Sequence, residues 1–352
     1  MPKSFHQERF KALLSKVGSG QHTAHGMSRE ESAEALEMIL SEVATPAQIG
    51  AFMMAHRIRR PEPQELAGMV DVYVNMGPKL HSGIGQRRPI CFGMPFDGRN
   101  RTTPIYPLTA LILLSAGQPV VLQGGKEMPV KYGVTATKLF QTLGLNLQGI
   151  RMSQVQDCFT KHGLALIYQP DHFPAAEKLI IYREEIGKRP PLASMELIWT
   201  AHQGHHLLVS GFVHPPTEDR AWKTLGLLDE EEFITVKGLE GSTDLPINRA
   251  CITAQVTKMR SKRLILHPHK YGCNGKDIAW TNLEQWREQA FQALDNQGPL
   301  KKALIWNAGS YLWFAGIANS LEAGIAEVDS NLNAGKAKNQ LNQLIKWRAT
   351  QG

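Results

Sequence analysis

Residues 45–57 read TPAQIGAFMMAHR and begin with a helix start signal. Thr45 and Gln48 have the spacing of a capping box, in which each side chain bonds the backbone amide of the other residue. Pro46 stands at the first helical position, where the missing N–H of proline is not needed. The pattern predicts a helix that continues to Ile58, with its Phe and Met side chains available for packing.

Helical patterns continue on both sides of these residues. Upstream, Ser28 and Glu31 have the spacing of a second capping box, and apolar stripes fall within 10–17 and 35–40. Downstream, the Pro61-Glu62-Pro63 break precedes a predicted helix over 64–75, for which Gly77 is a suitable C-cap. The first part of the chain is therefore predicted to be helical.

From residue 90 onward, short apolar runs alternate with helical patterns. Strands are predicted at 90–92, 119–122, 164–168, 207–209, 233–236 and 264–266, and helices at 108–116, 134–143, 153–162 and over 283–348. Strands that alternate with helices imply a mostly parallel sheet covered on both faces. The predicted fold class is therefore α/β with a helical domain.

The composition is that of an ordinary globular protein. The chain has 352 residues, of which 42% are hydrophobic, and its 39 Lys and Arg against 32 Asp and Glu give a net charge of +7. This surplus suits anionic partners such as phosphates or nucleic acid. The sequence has no run of about 18 apolar residues and no apolar core at its N-terminus, so we expect neither a membrane span nor a secretory signal. The four cysteines form no C-x-x-C pair, so we expect reduced thiols in a cytoplasmic protein.

Several stretches resemble the anthranilate phosphoribosyltransferase family (glycosyltransferase family 3) and follow one another in that family's order. They are 45–57, the helix start Pro63-Gln64-Glu65-Leu66-Ala67-Gly68, and the tail from 307–309 through 321–325. The resemblance implies a two-domain fold shared with class II nucleoside phosphorylases: a helical domain over 1–87, completed by a helical insertion around 170–205, and an α/β domain over 88–352. It also implies a homodimer formed through the helical domains, and a cleft for phosphoribosyl pyrophosphate, magnesium and anthranilate.

The phosphate-binding motifs of that family are altered here. Its Gly-rich loop GTGGDG corresponds to Gly93-Met94-Pro95-Phe96-Asp97-Gly98, where Pro95 removes an amide donor and Phe96 brings a ring to a place of close approach. Its N-x-S-T stretch corresponds to Pro104-Ile105-Tyr106-Pro107. Its K-H-G-N stretch corresponds to Leu122-Gln123-Gly124-Gly125, after which either Lys126 or Lys131 could contact a phosphate.

The motifs for anthranilate and magnesium are altered as well. The family's HHPA segment and the arginine after it correspond to His172-Phe173-Pro174-Ala175 and Arg183, whose planar guanidinium suits a carboxylate or a phosphate. Its acidic pair G-L-D-E corresponds to Gly241-Ser242-Thr243-Asp244. Asp244 is thus the one motif carboxylate left for magnesium, an ion that prefers hard oxygen ligands.

Changes at these motifs favour a first hypothesis, in which the phosphoribosyl site has lost its donors and the protein binds nucleic acid (DNA or RNA) or another polyanion without sequence specificity. The family has a divergent branch that keeps the fold, lacks the aminobenzoate chemistry and is associated with nucleic-acid binding, and this basic chain resembles it. The candidate anion-binding residues are Gly93, Asp97, Gly98, Arg99, Arg101, Gly124, Lys126 and Arg183. The candidate nucleic-acid contacts are Arg57, Arg59, Arg60, Arg87, Arg88, Lys258, Arg260, Lys262 and Arg263.

Two enzymatic hypotheses remain as alternatives. In the second hypothesis, the chain transfers a phosphorylated ribose to a different acceptor and uses Asp97, Lys126, Arg183 and Asp244, with magnesium as cofactor. In the third, it is a true anthranilate phosphoribosyltransferase of tryptophan biosynthesis. The sequence assigns no catalytic residue.

Two histidine-rich stretches suggest metal binding by composition. Residues 202–206 read HQGHH, and His267-Pro268-His269 is followed by Cys273. Neither spacing is that of a standard zinc site. A loop beside the former substrate cleft is the ordinary interpretation of the first stretch.

Overall fold

The structure is a computed structural model that describes residues 5–20 and 25–351. Buried hydrophobic side chains form a continuous core that extends from Phe10 to Trp347. Within the described residues, no helix is both long and apolar enough to span a membrane.

Four helices precede the large sheet. They are α1 (Phe5–Gly18), α2 (Arg29–Leu40), α3 (Pro46–Arg59) and α4 (Pro63–Met76). Both predicted capping boxes form, between Ser28 and Glu31 and between Thr45 and Gln48. The α2 and α4 helices cross at Gly68, where a Cβ atom would lie 2.1 Å from the carbonyl oxygen of Arg29. The close crossing of these helices therefore requires glycine at this position.

Nine strands form two sheets among the described residues. The strands are β1 (Leu80–His81), β2 (Ile90–Gly93), β3 (Val120–Gly124), β4 (Leu164–Tyr168), β5 (His202–Gln203), β6 (Leu207–Gly211), β7 (Glu232–Val236), β8 (Cys251–Thr257) and β9 (Arg260–Leu266). The large sheet has the order β4-β3-β2-β6-β7-β8-β9, and β1 pairs with β5 separately. The five strands from β4 to β7 in this order are mutually parallel. Strand β8 pairs antiparallel with β7 on one side and with β9 on the other.

Helices cover the sheet and continue to the C-terminus. They are α5 (Tyr106–Ser115), α6 (Ala136–Thr142), α7 (Met152–His162), α8 (Gln169–His172), α9 (Pro174–Glu177), α10 (Ile180–Ile186), α11 (Leu192–Met195), α12 (Pro215–Leu227), α13 (Leu283–Leu294), α14 (Lys301–Phe314), α15 (Leu321–Asn333) and α16 (Lys336–Ala349). The short helices α10 and α11 contact α3 and α4, respectively.

The strand order determines where a ligand would bind. The chain runs from β2 outward to β3 and β4 on one side, and later returns to β6 and β7 on the other side. The order therefore reverses between β2 and β6. In open α/β sheets, ligands bind at such a reversal, outside the carboxyl ends of the strands.

The predicted fold class and all six predicted strands are confirmed. Strands β1, β5 and β8 and helix α12 were not predicted, although α12 begins with Pro215-Pro216, a helix start signal. The boundaries at residue 87 and around 170–205 stay predictions. The contacts of α10 and α11 with α3 and α4 agree with a helical insertion that completes the first domain.

Candidate functional site

A cleft of about 890 Å³ lies at the carboxyl ends of β2, β6 and β7, opposite the C-terminal end of α3. Its walls include Pro95 and Asp97 after β2, Phe212 after β6 and Lys237 after β7. The cleft therefore lies at the reversal in strand order, where the topology favours ligand binding.

Positive side chains dominate the walls of this cleft. Three acidic residues line it, namely Asp97, Glu196 and Glu240. Eight basic residues line it, namely Arg57, Arg60, Arg101, Lys131, Arg189, Arg220, Lys237 and Arg249. Low-dielectric walls that carry one sign of charge concentrate the field and attract ions of the opposite sign.

The three acids already have basic partners. The Asp97 carboxylate accepts a hydrogen bond from Arg189 at 2.6 Å, and Glu240 is 3.0 Å from Lys131. Glu196 pairs with Arg183 at 2.6 Å; burial raises the pKa of Glu196 to about 7 despite this guanidinium. The acids therefore leave most of the positive charge of the cleft uncompensated.

Five of the cations lack an acidic partner. Among residues 5–20 and 25–351, no carboxylate lies within 4.0 Å of Arg57, Arg60, Arg101, Arg220 or Lys237. Burial lowers the pKa of Arg57, and the guanidinium groups of Arg60 and Arg189 lower it further. Burial and Arg60 also lower the pKa of Arg220. These cations repel one another, and a bound anion would relieve that repulsion.

The loop after β2 presents Pro95 and Asp97 to the cleft, but its other residues pack against protein. A Cβ atom on Gly93 would lie 1.9 Å from the carbonyl oxygen of Leu197, and Gly98 has φ of +71°. Met94 and Phe96 are buried, and both line the small cavity between this loop and β3. Packing and a turn therefore account for both glycines.

Little space remains between this loop and the carboxyl end of β3. The cavity there measures about 10 Å³ and is lined by Met94, Phe96, Tyr106, Gln123 and Gly124, among others. One water molecule needs roughly 10–15 Å³ of such volume. In this conformation a sugar diphosphate does not fit beneath the loop.

Asp244, the predicted magnesium ligand, is buried against Arg99 and is not free. The Arg99 guanidinium donates to the Asp244 carboxylate, and both side chains are 1% exposed. The Ile105 amide, at the start of α5, donates to the same carboxylate at 2.8 Å. Burial raises the pKa of Asp244, and Arg99 and the backbone amides oppose that rise. A carboxylate of the chain thus occupies the helix N-terminus, a position that otherwise suits a phosphate.

Glu240 uses the amide donors of the neighbouring loop. The Arg101 and Thr102 amides donate to it at 3.0 and 2.9 Å, respectively. Burial alone would raise the pKa of Glu240, but Lys131 and these amides lower it to about 2. The carboxylate is therefore ionised, and its oxygens are already bonded.

The residues present do not fit a magnesium ion that carries a sugar diphosphate. Such an ion needs free carboxylate oxygens together with substrate oxygens. Asp244 is bonded to Arg99, Thr243 replaces the second motif acid, and Glu240 is bonded to Lys131. The Arg99 guanidinium, the Lys131 ammonium and the backbone amides bonded to these carboxylates would have to move before the oxygens could bind a metal.

Three other candidate anion ligands lie outside the cleft. Arg99 is buried and does not line it. Lys126 is exposed and pairs with Glu177 at 2.8 Å. Arg183 is 2% exposed and reaches the cleft only through Glu196. Asp97 and Arg101 do line the cleft, whereas Gly124 lines the small cavity beside β3.

The structure separates the predicted nucleic-acid residues into two groups. Arg57 and Arg60 line the cleft, and Arg59, bonded to Glu65, lines an adjoining cavity. The remaining candidates do not line the cleft; they are Arg87, Arg88, Lys258, Arg260, Lys262 and Arg263.

The register of the sheet explains this separation. Thr257 at the end of β8 pairs with Glu232 at the start of β7, so the turn that carries Lys258 is at the amino end of the parallel strands. Arg88 bonds Glu232 at this same end. β9 is an edge strand, where basic side chains discourage pairing with another chain.

Four cleft cations were not among the sequence candidates. They are Arg189, Arg220, Lys237 and Arg249. None of them lies in one of the longer basic runs, so local charge density does not reveal them. Lys237 directly follows a predicted strand, and position at a strand's carboxyl end is the signal that indicates it.

Two family models match the chain and together cover more than half of it. The helical bundle domain of a glycosyl transferase family matches residues 11–77, and the α/β domain of the same family matches 97–338. The chain belongs to this glycosyl transferase family.

Curated relatives in the family are named anthranilate phosphoribosyltransferase. The chain is 26% identical to the enzyme of Chromobacterium violaceum over 321 residues, which is 90% of this chain and 92% of the relative. It is 25% identical to the enzyme of Acetivibrio thermocellus over 345 residues, or 96% of each chain. The resemblance stated from the motifs is thereby confirmed.

Solved structures of the same enzyme share the fold. The Thermus thermophilus structure has a TM-score of 0.78 at 19% identity, and the alignment covers 97% of this chain and 99% of that one. The Saccharomyces cerevisiae enzyme in complex with PRPP and Mg has a TM-score of 0.81 at 13% identity, covering 98% and 99%. The names of the relatives favour the phosphoribosyltransferase hypotheses over polyanion binding. The homodimer stays a prediction.

Proposed function

We propose that this member of the glycosyl transferase family binds nucleic acid, or another polyanion, through phosphate contacts in its cationic cleft. The observation that carries the proposal is the excess of basic side chains at the reversal in strand order, where five cations lack an acidic partner among the residues that the structure describes. Phosphate groups are the anions that such an array of Arg and Lys side chains binds without reading bases.

The shape of the basic surface supports an extended ligand. A second cavity, of about 390 Å³, shares Arg60 and Arg220 with the cleft and adds Arg59 and Lys223, which are paired with Glu62 and Asp219 on its wall. The two cavities together form a cationic track along the ends of α3 and α12. A polymer with regularly spaced phosphates can contact the whole track, which one diphosphate cannot do.

The arrangement of the acids supports binding without a metal. Asp244 and Glu240 are bonded to Arg99 and Lys131, so the chain supplies its own cations where the relatives' motif has an acidic pair. Phosphate binding through Arg and Lys then needs no magnesium bridge. We expect that magnesium does not raise the affinity for nucleic acid above the value measured with a chelator.

Fluorescence anisotropy with a labelled single-stranded oligonucleotide of mixed sequence tests the proposal. Five phosphate contacts on a single strand predict that log K falls with log salt at a slope of about −3.5, or about 100-fold in affinity between ~50 and ~200 mM. A scrambled sequence should bind equally well. Absent or salt-independent binding would refute the proposal.

Phosphoribosyl transfer is the second candidate, because the relatives covering 90% or more of this chain are named for it. For this activity, Asp244 would have to leave Arg99 and the small cavity beside β3 would have to open. Calorimetric titration with phosphoribosyl pyrophosphate tests it. Saturable binding that requires magnesium, followed by transfer to anthranilate or another amine, would favour this candidate over polyanion binding.

A further inference from the structure

Cys91, His202 and His206 form a compact buried cluster at the end of the sheet away from the cleft. One potential metal-binding atom from each residue lies within 4.8 Å of the other two. Cys91 is on β2, His202 is on β5 and His206 directly precedes β6. Their relative exposures are 1%, 3% and 9%. Residues 202–206 were singled out by composition, and the fold adds a thiol that lies far earlier in the sequence.

The two imidazoles are held so that their Nδ1 atoms face each other. These atoms are 3.5 Å apart, and the ring planes are nearly perpendicular at 87°. The Nε2 atom of His202 bonds the Ser82 hydroxyl at 2.9 Å, and the Nε2 atom of His206 is 3.4 Å from the Glu230 carboxylate. Metal-binding histidines characteristically bond an outer partner through their second nitrogen, as His202 does here, because that partner fixes the tautomer and the ring orientation. The Nε2 atom of His206 faces Glu230 without a hydrogen bond in this structure.

We propose that Cys91, His202 and His206 bind a late first-row transition metal ion of the zinc type. One thiolate and two imidazole nitrogens suit zinc and its neighbours, whereas magnesium and calcium prefer oxygen ligands. A water molecule or the Gly204 carbonyl completes a four-coordinate site. The proposal is independent of polyanion binding, because the cluster does not line the cleft.

Metal binding has to displace contacts that the residues make in this structure. The Nδ1 atom of His206 bonds the Gly204 carbonyl at 2.7 Å. Binding therefore moves the proton of this bond to Nε2 of His206, on the side of Glu230, and releases the proton of the thiol, so the affinity should rise with pH. Gly204 and His205 are exposed, so the cluster has a short path to solvent through the loop between β5 and β6.

The other histidine-rich stretch has no such geometry. Among residues 5–20 and 25–351, the cluster of Cys91 with His202 and His206 is the one group of three potential ligands that converge. The rings of His267 and His269 are 5.4 Å apart, but Cys273 does not join them.

A titration of the full-length, chelator-treated protein with CoCl₂ tests the proposal, since cobalt reports its ligands by absorption. We expect one ion per chain, a thiolate-to-cobalt charge-transfer band in the near ultraviolet and the visible bands of a four-coordinate ion, all lost on addition of ZnCl₂. Cys91→Ser should remove the charge-transfer band. Glu230→Gln should weaken binding by about 10–100-fold, as loss of an outer partner does elsewhere.

Matched control variants distinguish the loss of a metal ligand from a general effect of substitution on the protein. Cys158→Ser removes another buried free thiol, and His205→Gln removes the exposed histidine next to His206. Both should titrate like the unmodified protein. If Cys91→Ser does not fold, the comparison of metal affinity between Glu230→Gln and His205→Gln still tests the proposal. No saturable spectrum, an unchanged spectrum in Cys91→Ser, or equal affinities for Glu230→Gln and His205→Gln would overturn the proposal.

Discussion

Replacing Asp244 by Asn tests whether this carboxylate is committed to the fold. The variant leaves the Arg99 guanidinium buried at 1% exposure without its main partner. Removal of one member of a buried ion pair costs about 3–5 kcal/mol. Glu240 remains at 3.7 Å from Arg99 and offsets part of the loss, so we expect unfolding to become easier by about 3 kcal/mol, near the lower limit of that range.

Urea unfolding followed by far-ultraviolet circular dichroism measures this change. Asp219→Asn is the control, because Asp219 pairs with Lys223 at 2.9 Å with a side chain that is 65% exposed. The control should change the free energy of unfolding by no more than about 0.5 kcal/mol. If Asp244→Asn were as stable as the control, Asp244 would be free to bind a metal, and our interpretation of the buried pair would be wrong.

Two further predictions concern stability. The Glu65 carboxylate is buried; burial alone would raise its pKa, but His56 and Arg59 lower it to about 2, below its ordinary 4.5. Its stabilising contribution is therefore complete above about pH 4.5 and is lost as the pH falls toward 2, and Glu65→Gln should flatten that part of a plot of melting temperature against pH. Gly324→Ala places a Cβ atom 2.3 Å from the Gly309 carbonyl oxygen where α14 and α15 cross, and thermal denaturation should show a loss of about 1–3 kcal/mol. Gly226→Ala, with no atom within 4 Å of the new Cβ, should show no such loss.

Local sequence patterns predicted most of the fold because capping residues and apolar runs mark most of its helices and strands. The capping boxes at Ser28 and Thr45 and the glycine that ends α7 depend on neighbouring residues alone. β8 was missed because its inward residues alternate with polar ones and include Thr253, so it lacks the apolar run of the parallel strands. Continuous apolar runs mark strands that are buried on both faces, as β2 and β3 are.

The candidate site was predictable in location but not in its contacts. The motif comparison placed the site after β2 and near Asp244, and the cleft adjoins both stretches. Arg99 and Asp244 are 145 positions apart, and only the strand order brings them together. Local charge density likewise could not show that Arg57 faces the cleft while Lys258 lies at the opposite end of the sheet.

The salt dependence of oligonucleotide binding by two charge-matched double variants tests the central claim most directly. Arg57→Gln with Arg220→Gln removes two unpaired cleft cations, and Lys258→Gln with Arg260→Gln removes two exposed cations at the other end of the sheet. The cleft variant should have a salt slope shallower by about 1.4 and bind about 20-fold more weakly at ~100 mM salt, while the other variant should match the unmodified protein. Equal losses in the two variants, or a loss confined to the variant at Lys258 and Arg260, would contradict the assignment of anion binding to the cleft.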